Sequence, residues 1–233
     1  MSSPYTHVET APTAVVVERN FLRQVFAWML LALAITTGIA IWFHATTGVV
    51  DYFNDHPGIF WVCLIAQLGM VFGLSFGINR ISAQAAAILF CLYAALTGLT
   101  FSILLEVYTT SSIVGAFAGA AGVFGGMAIY GYTTERDLSG WGAILFGALI
   151  GLIVASIAFI FVGGSTFNLI LGFAGVIIFA GLTAYDMQKL KEMSGAEGLT
   201  EDHEQKLAIF GALALYLDFI NIFLSLLRIF GRN

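Results

Sequence analysis

The amino-acid sequence predicts an all-α membrane protein, a bundle of seven transmembrane helices. Of its 233 residues, 59% are hydrophobic and only 10% are charged, whereas soluble domains are about 45 to 50% apolar and about 25% charged. Apolar runs of about 20 residues, enough for a helix to cross a bilayer core of about 30 Å, occur seven times. The three prolines, Pro4, Pro12 and Pro57, all lie outside these runs, so each run can form an unbroken helix.

The same composition argues against several classes of function. A formal net charge of -5 is the wrong sign for a protein that grips nucleic-acid phosphates, so we expect no nucleic-acid partner. Cys63 and Cys91 lie in apolar runs without a neighbouring histidine or a CxxC spacing, which indicates neither a zinc site nor a disulfide scaffold. No nucleotide loop, cofactor motif or nucleophile with its base is present, so we expect neither a cofactor nor enzymatic activity.

The first predicted helix covers Gln24 to Phe43 and follows a polar leader that lacks the apolar segment of a signal peptide. We therefore expect a cytoplasmic tail over residues 1–20 and a single seven-helix domain over residues 21–233. The second and third predicted helices cover Ile59 to Ile78 and Ile81 to Leu105.

Four more apolar runs complete the prediction. They cover Ile113 to Tyr132, Trp141 to Val162, Asn168 to Lys191 and Leu207 to Phe230. Helices are predicted throughout because lipid cannot satisfy exposed backbone groups and no run shows the alternating pattern of a strand.

Basic residues in the segments between the runs alternate, and this pattern sets the orientation. The leader and every second connection contain basic residues: Arg19, Arg23, Arg80, Arg136, Lys189, Lys191 and Lys206. The other connections contain the acidic residues Asp51, Asp55 and Glu106. We expect the amino terminus in the cytoplasm and, after seven spans, the carboxyl terminus outside. Arg228 and Arg232 at that end oppose the rule, so an alternative has the seventh segment re-enter and return to the cytoplasm.

Two aspartates lie inside predicted spans, where a charge costs about 2.5 to 3.5 kcal/mol on insertion scales. Asp218 follows Leu207 by eleven residues, which places it about 16 Å along the helix, near the midplane. Asp186 follows Thr183-Ala184-Tyr185, and no helix breaker appears before Ser194-Gly195. Such residues need a partner or a function, so both are candidates for the functional site.

The helices that carry Asp186 and Asp218 are consecutive and antiparallel, so we expect the two carboxylates to face each other at similar depth. Two carboxylates in one low-dielectric site cannot both ionise cheaply and tend to share a proton. The pair is therefore predicted to sense protons or to bind a cation. The alternative is that each accepts hydrogen bonds separately, Asp218 from Asn221 or Tyr216, and Asp186 from Lys189 one turn away.

Three other charged residues are candidates for a supporting role. Arg80 anchors the topology at the cytoplasmic headgroups, with the alternative that it reaches the aspartates from that side. Glu106 and Arg228 fall near the outer ends of their helices, where they either pair or occupy ordinary interfacial positions, and exposed ion pairs are worth little.

Several sequence blocks resemble the signatures of the Bax inhibitor-1 family, in its bacterial inner-membrane branch. These blocks are Tyr130-Gly131-Tyr132-Thr133-Thr134-Glu135-Arg136-Asp137-Leu138-Ser139, Gly181-Leu182-Thr183-Ala184-Tyr185-Asp186 with Gln188-Lys189-Leu190-Lys191, and Tyr216-Leu217-Asp218-Phe219-Ile220-Asn221 with Leu227-Arg228. Leu96-Thr97-Gly98-Leu99-Thr100 in the third run also fits. The resemblance extends from about Arg19 to Gly231.

The resemblance implies a seven-helix fold with the last helix at its centre, and a pH-sensitive calcium leak. It implies that Asp186 and Asp218 form the proton-sensing pair and contact calcium in transit, with Arg80 as the candidate for a nearby arginine from helix two. It also implies that Arg228 closes the protein against a glutamate on helix two. Here that helix has no carboxylate, only Gln67, so Glu106 is the substitute.

Three functions are compatible with these residues. In a calcium leak, a neutral pair sharing a proton holds the last two helices together, and loss of that proton creates repulsion and a site of hard oxygen ligands. In a regulatory role, suggested by relatives, the partner is a membrane quality-control protease or another membrane protein. An intramembrane aspartyl protease also uses aspartates on two helices, but it typically has Gly-x-Gly before the second one, where this chain has Tyr216-Leu217.

Overall fold

The computed structural model describes residues 11–77, 80–194 and 200–231, and regular secondary structure in these residues is entirely α-helical. Eight helices follow one another: α1 (Ala11–Thr46), α2 (Val49–Asp55), α3 (Pro57–Gly77), α4 (Ala83–Val107), α5 (Thr110–Thr133), α6 (Ser139–Val162), α7 (Ser165–Ser194) and α8 (Glu201–Phe230). All except α2 contain a segment long and apolar enough to cross a membrane. The predicted class, a bundle of seven membrane-length helices, is confirmed in this part of the chain.

The helices differ from the predicted runs mainly at their ends, because polar residues complete the terminal turns. Thr200 caps α8 by accepting the His203 N–H, and acidic residues in the first turn favour a helix amino terminus. This helix therefore begins six residues before the predicted start at Leu207. Helix α1 begins at Ala11, inside the expected tail over residues 1–20. The predicted end of the second run at Ile78, and Arg232, lie outside the described residues.

Helix α2 is a short element that the apolar runs did not predict. Its seven residues bury Val49 and Phe53, and Phe53 contacts the rings of Phe43 and Phe60 with centroids 6.0 and 5.7 Å apart. Tyr52 packs edge-on against Phe43 at 5.5 Å. This aromatic cluster ties the connection to the ends of α1 and α3, as is typical of residues at a membrane interface.

Helix α8 lies at the centre of the bundle, as the resemblance implies. In its apolar segment 67% of the residues are buried, against none in that of α6. It packs against α1, α4, α5 and α7, whereas α6 packs mainly against α7. Tyr216, fully buried on α8, forms a 2.7 Å hydrogen bond with the Thr36 hydroxyl of α1, which fixes the central helix to its neighbour.

The alternative topology with a re-entrant last segment is not supported. Helix α8 runs unbroken for 30 residues from Glu201 to Phe230, or about 45 Å at 1.5 Å per residue, which exceeds the thickness of a bilayer core. A re-entrant segment needs a break in the helix, and the residues from 201 to 230 contain none.

Candidate functional site

A cavity of about 1050 Å³ opens beside the central helix, between α3, α6, α7 and α8, with Tyr93 of α4 in its wall. Most of the wall is apolar. The polar part consists of a few side chains on the two last helices, together with Gln67 of α3 and Ser156 of α6. This contrast between wall and polar groups is typical of a functional site in a membrane protein.

The polar side chains follow one face of α8. Asp218, Asn221, Ser225 and Arg228 all line the cavity, and spacings of three and four residues place them along one side of a helix. From Asp218 to Arg228 this row is about 15 Å long at a rise of about 1.5 Å per residue. Helix α7 adds Asp186 and Lys189 to the same cavity, so the cavity joins the two predicted carboxylates.

Asp218 is deeply buried and poorly supplied with hydrogen-bond donors. Its side chain is 4% exposed, and its Oδ2 atom has no hydrogen-bond partner in the described part of the chain. The Thr183 hydroxyl lies beside it but donates its only proton to the Phe179 carbonyl, 2.7 Å away. An ionised carboxylate is costly in such surroundings.

The donors proposed for Asp218 in the alternative without a pair are engaged elsewhere. The Asn221 amide donates to the Leu217 carbonyl at 2.7 Å, and the Tyr216 hydroxyl pairs with Thr36. Asp218 on α8 and Asp186 on α7 line the same cavity. The structure thus brings the two carboxylates to one cavity from separate helices.

Asp186 has a different environment from Asp218. It is partly exposed towards the cavity, and the Lys189 ammonium one turn later acts on its charge. The Lys189 ammonium is itself exposed and lies 6.0 Å from the centroid of the Tyr185 ring. Asp186 is thus the charged group that shares the cavity with the more buried Asp218, whereas Asp186 also has the Lys189 cation one turn away.

Two glycines allow neighbouring helices to contact α7 beside Asp186. A methyl group on Gly131 of α5 would lie 2.8 Å from the Ala184 Cα atom, and one on Gly142 of α6 would lie 2.7 Å from the Tyr185 ring. Small residues permit such close helix contacts in membranes. Ala184 and Tyr185 immediately precede Asp186, so these contacts determine where the carboxylate lies.

The three supporting candidates lie in different places. Arg228 lines the cavity and has no carboxylate within 4.0 Å among the described residues. Glu106 lies 3.5 Å from His44 Nδ1, and no ion pair joins it to Arg228 among the described residues. Arg80 is exposed in the turn before α4, and its backbone N–H donates to the Gly77 carbonyl at 2.8 Å. It is not part of the cavity wall.

Two features of the site were not recognised in the sequence. Thr183 and Gln188 belong to the block that contains Asp186. Only the position of α7 in the fold shows that Thr183 lies beside Asp218 and that Gln188 binds the connection between α5 and α6.

The described residues contain no group of three or more histidine, cysteine, aspartate or glutamate side chains arranged for a metal.

The amino-acid sequence is similar to a known protein family and to several bacterial proteins. The model of the family described as "Inhibitor of apoptosis-promoting Bax1" matches residues 18–233. "Inner membrane protein YbhL" of Escherichia coli strain K12 is 47% identical over 218 residues, which cover 92% of each chain. An uncharacterized protein of Deinococcus radiodurans is 43% identical over 91% of this chain and 90% of its own length. Another, of Borreliella burgdorferi, is 39% identical over 94% of each chain.

Proposed function

The chain belongs to the Bax inhibitor-1 family of membrane proteins, and from this we propose that it is a calcium leak channel of the inner membrane, gated by protonation of Asp186 and Asp218. One observation carries the proposal: two carboxylates from consecutive helices line the same cavity beside the central helix. Intramembrane acids that face a cavity mark proton and ion pathways.

The gating step follows from the cost of charge in this cavity. Asp218 is buried and its Oδ2 atom has no donor among the residues of the described ranges, so the site favours one proton shared between the two carboxylates. A shared proton holds α7 and α8 together through a hydrogen bond. When it leaves, the two like charges repel, and their oxygens become ligands for a divalent cation.

Few other charges face the pair. Among the lining residues, α7 contributes Lys189 and α8 contributes Arg228, while α3, α4 and α6 contribute only neutral groups, of which Tyr93 is the titratable one. The pH response is therefore assigned to the aspartates.

The polar row on α8 supplies a path for the ion. Beyond Asp218 it offers the Asn221 and Ser225 oxygens, which are ligands that calcium accepts. Arg228 lies at the far end of the row, where its positive charge lowers the local concentration of cations and so limits the rate of the leak.

The orientation belongs to the same proposal. The connection between α5 and α6 contains Arg136, and α7 ends with Lys189 and Lys191, so this side faces the cytoplasm under the positive-inside rule. The amino terminus then lies in the cytoplasm, and the carboxyl end of α8 lies at the periplasmic side.

Calcium uptake by the purified protein in lipid vesicles tests the proposal. We expect uptake above that of protein-free vesicles, with a rate that changes several-fold between about pH 5 and about pH 8 along a single titration curve. A ratiometric dye enclosed in the vesicles gives the initial rate. Uptake equal to that of empty vesicles at every pH would remove the leak and favour the regulatory role.

A further inference from the structure

Helix α7 carries two sets of side chains on different faces. Asp186 and Lys189 line the cavity. Ala184, Gln188 and Lys191, spaced four and three residues apart, lie on another face, since each residue turns a helix by about 100°. This second face contacts α5 and the connection from α5 to α6.

The Gln188 carboxamide binds that connection through both of its polar atoms. Its Oε1 accepts the Leu138 backbone N–H at 2.8 Å, and its Nε2 donates to the Arg136 carbonyl at 2.8 Å. The amide thereby satisfies one backbone donor and one backbone acceptor in a segment that has no helical partners for them. We refer to these two hydrogen bonds as the Gln188 clamp.

Neighbouring contacts hold the same face of α7 in register. The Lys191 ammonium donates to the Tyr132 carbonyl at 2.9 Å and lies 5.0 Å from the centroid of that ring. One turn before Gln188, the Ala184 backbone touches Gly131 of α5. The clamp is thus the middle contact of three along one side of α7.

Rotation of α7 would break these contacts and turn Asp186 away from Asp218 at the same time. We propose that Gln188 is a positioning residue for the acid pair, which holds Asp186 towards Asp218 by fixing the rotation of α7 against the connection between α5 and α6. This inference rests on the proposed function, because it assigns a regulator to the same pair.

Three charged residues lie in the connection that the clamp binds. Glu135, Arg136 and Asp137 are exposed. Donors from Ser139, including its backbone N–H at 2.8 Å, hold the pKa of Asp137 below its usual range, so this carboxyl remains ionised at neutral and mildly acidic pH. The clamp is therefore expected to act on the acid pair through α7, the helix that carries both Gln188 and Asp186.

Substitutions of Gln188 separate positioning from general stability. Gln188→Ala removes both hydrogen bonds. Gln188→Glu keeps an acceptor for the Leu138 N–H but replaces the donor to the Arg136 carbonyl with an anion. Glu192→Gln is the matched control, because Glu192 is an exposed residue of the same helix and the change is equally conservative.

The experiment titrates the buried carboxyls by infrared difference spectroscopy and follows hydrogen exchange at the Leu138 amide. We expect Gln188→Ala to accelerate that exchange about tenfold, a change in opening free energy of about 1.4 kcal/mol. The carboxyl midpoint should move by more than about half a pH unit. Gln188→Glu should shift the midpoint as well, and Glu192→Gln should change neither quantity.

Faster exchange with an unchanged carboxyl midpoint would show that Gln188 only stabilises the connection, and would overturn the inference. Gln188→Glu carries the test if Gln188→Ala does not fold. Because the midpoint is read from the carboxyls themselves, the result stands even if the wild-type protein passes no calcium. Absence of calcium uptake would end the proposed leak, and an unshifted midpoint would end the positioning role.

Discussion

Replacing Asp218 with asparagine is expected to abolish the pH dependence of calcium uptake. The substitution keeps the volume of the side chain but replaces the buried carboxyl group, which is proposed to share a proton with Asp186, by a neutral amide. Without a second carboxylate, no proton is shared and no repulsion arises between α7 and α8. The initial rates of calcium uptake into vesicles should then be about equal at about pH 5 and about pH 8.

Two further variants serve as a second test and as a control for this result. Asp186→Asn removes the other member of the pair and should also abolish the pH response. Asp55→Asn makes the same chemical change at an exposed residue of α2 and should leave the response as in the wild type. A wild-type pH profile in Asp218→Asn would show that another group senses the proton.

Replacing Gly131 with alanine is expected to lower the thermal stability of the protein strongly. The new methyl group would lie 2.8 Å from the Ala184 Cα atom, and the neighbouring atoms are backbone, which cannot move aside as a flexible side chain can. Overpacking costs about 1 to 3 kcal/mol, and a clash with backbone atoms places this site at the upper end, above the gain of about 1 kcal/mol in helix propensity when glycine becomes alanine.

The measurement is the melting temperature in detergent, compared with that of Gly125→Ala. Gly125 lies on the same helix, and a methyl group there meets no atom within 4 Å among the described residues. This control should melt at or above the temperature of the wild type. Equal melting temperatures for the two variants would show that α5 and α7 do not need the close approach at Gly131.

The helical fold and its family were predictable, because hydrophobicity and motif blocks are properties of contiguous residues. The presence of Asp186 and Asp218 in one cavity agrees with the chain order, since consecutive membrane helices run antiparallel. Helix α2 was missed because it is too short to form an apolar run, and its stability comes from aromatic contacts with α1 and α3. Such contacts have no periodic signal.

Contacts between distant segments were not predictable. Gly125 and Gly131 both lie on the fourth predicted helix, but of the two only Gly131 is placed so that an added methyl group would meet the described residues of α7. Gln188 binds residues about fifty positions earlier in the chain, and nothing local to it indicates a backbone partner. Glu106 of α4 lies near His44 of α1. This contact depends on how the two helices are rotated about their axes, which the sequence does not indicate.

Infrared difference spectroscopy of the carboxyl C=O stretch tests the central claim, that Asp186 and Asp218 hold one proton between them. Only a protonated carboxyl gives this band. We predict that one band titrates between about pH 5 and about pH 8, with the same midpoint as calcium uptake. Asp186→Asn and Asp218→Asn should each remove or shift this band. A wild-type spectrum without such a band, or a band that both substitutions leave unchanged, would contradict the account.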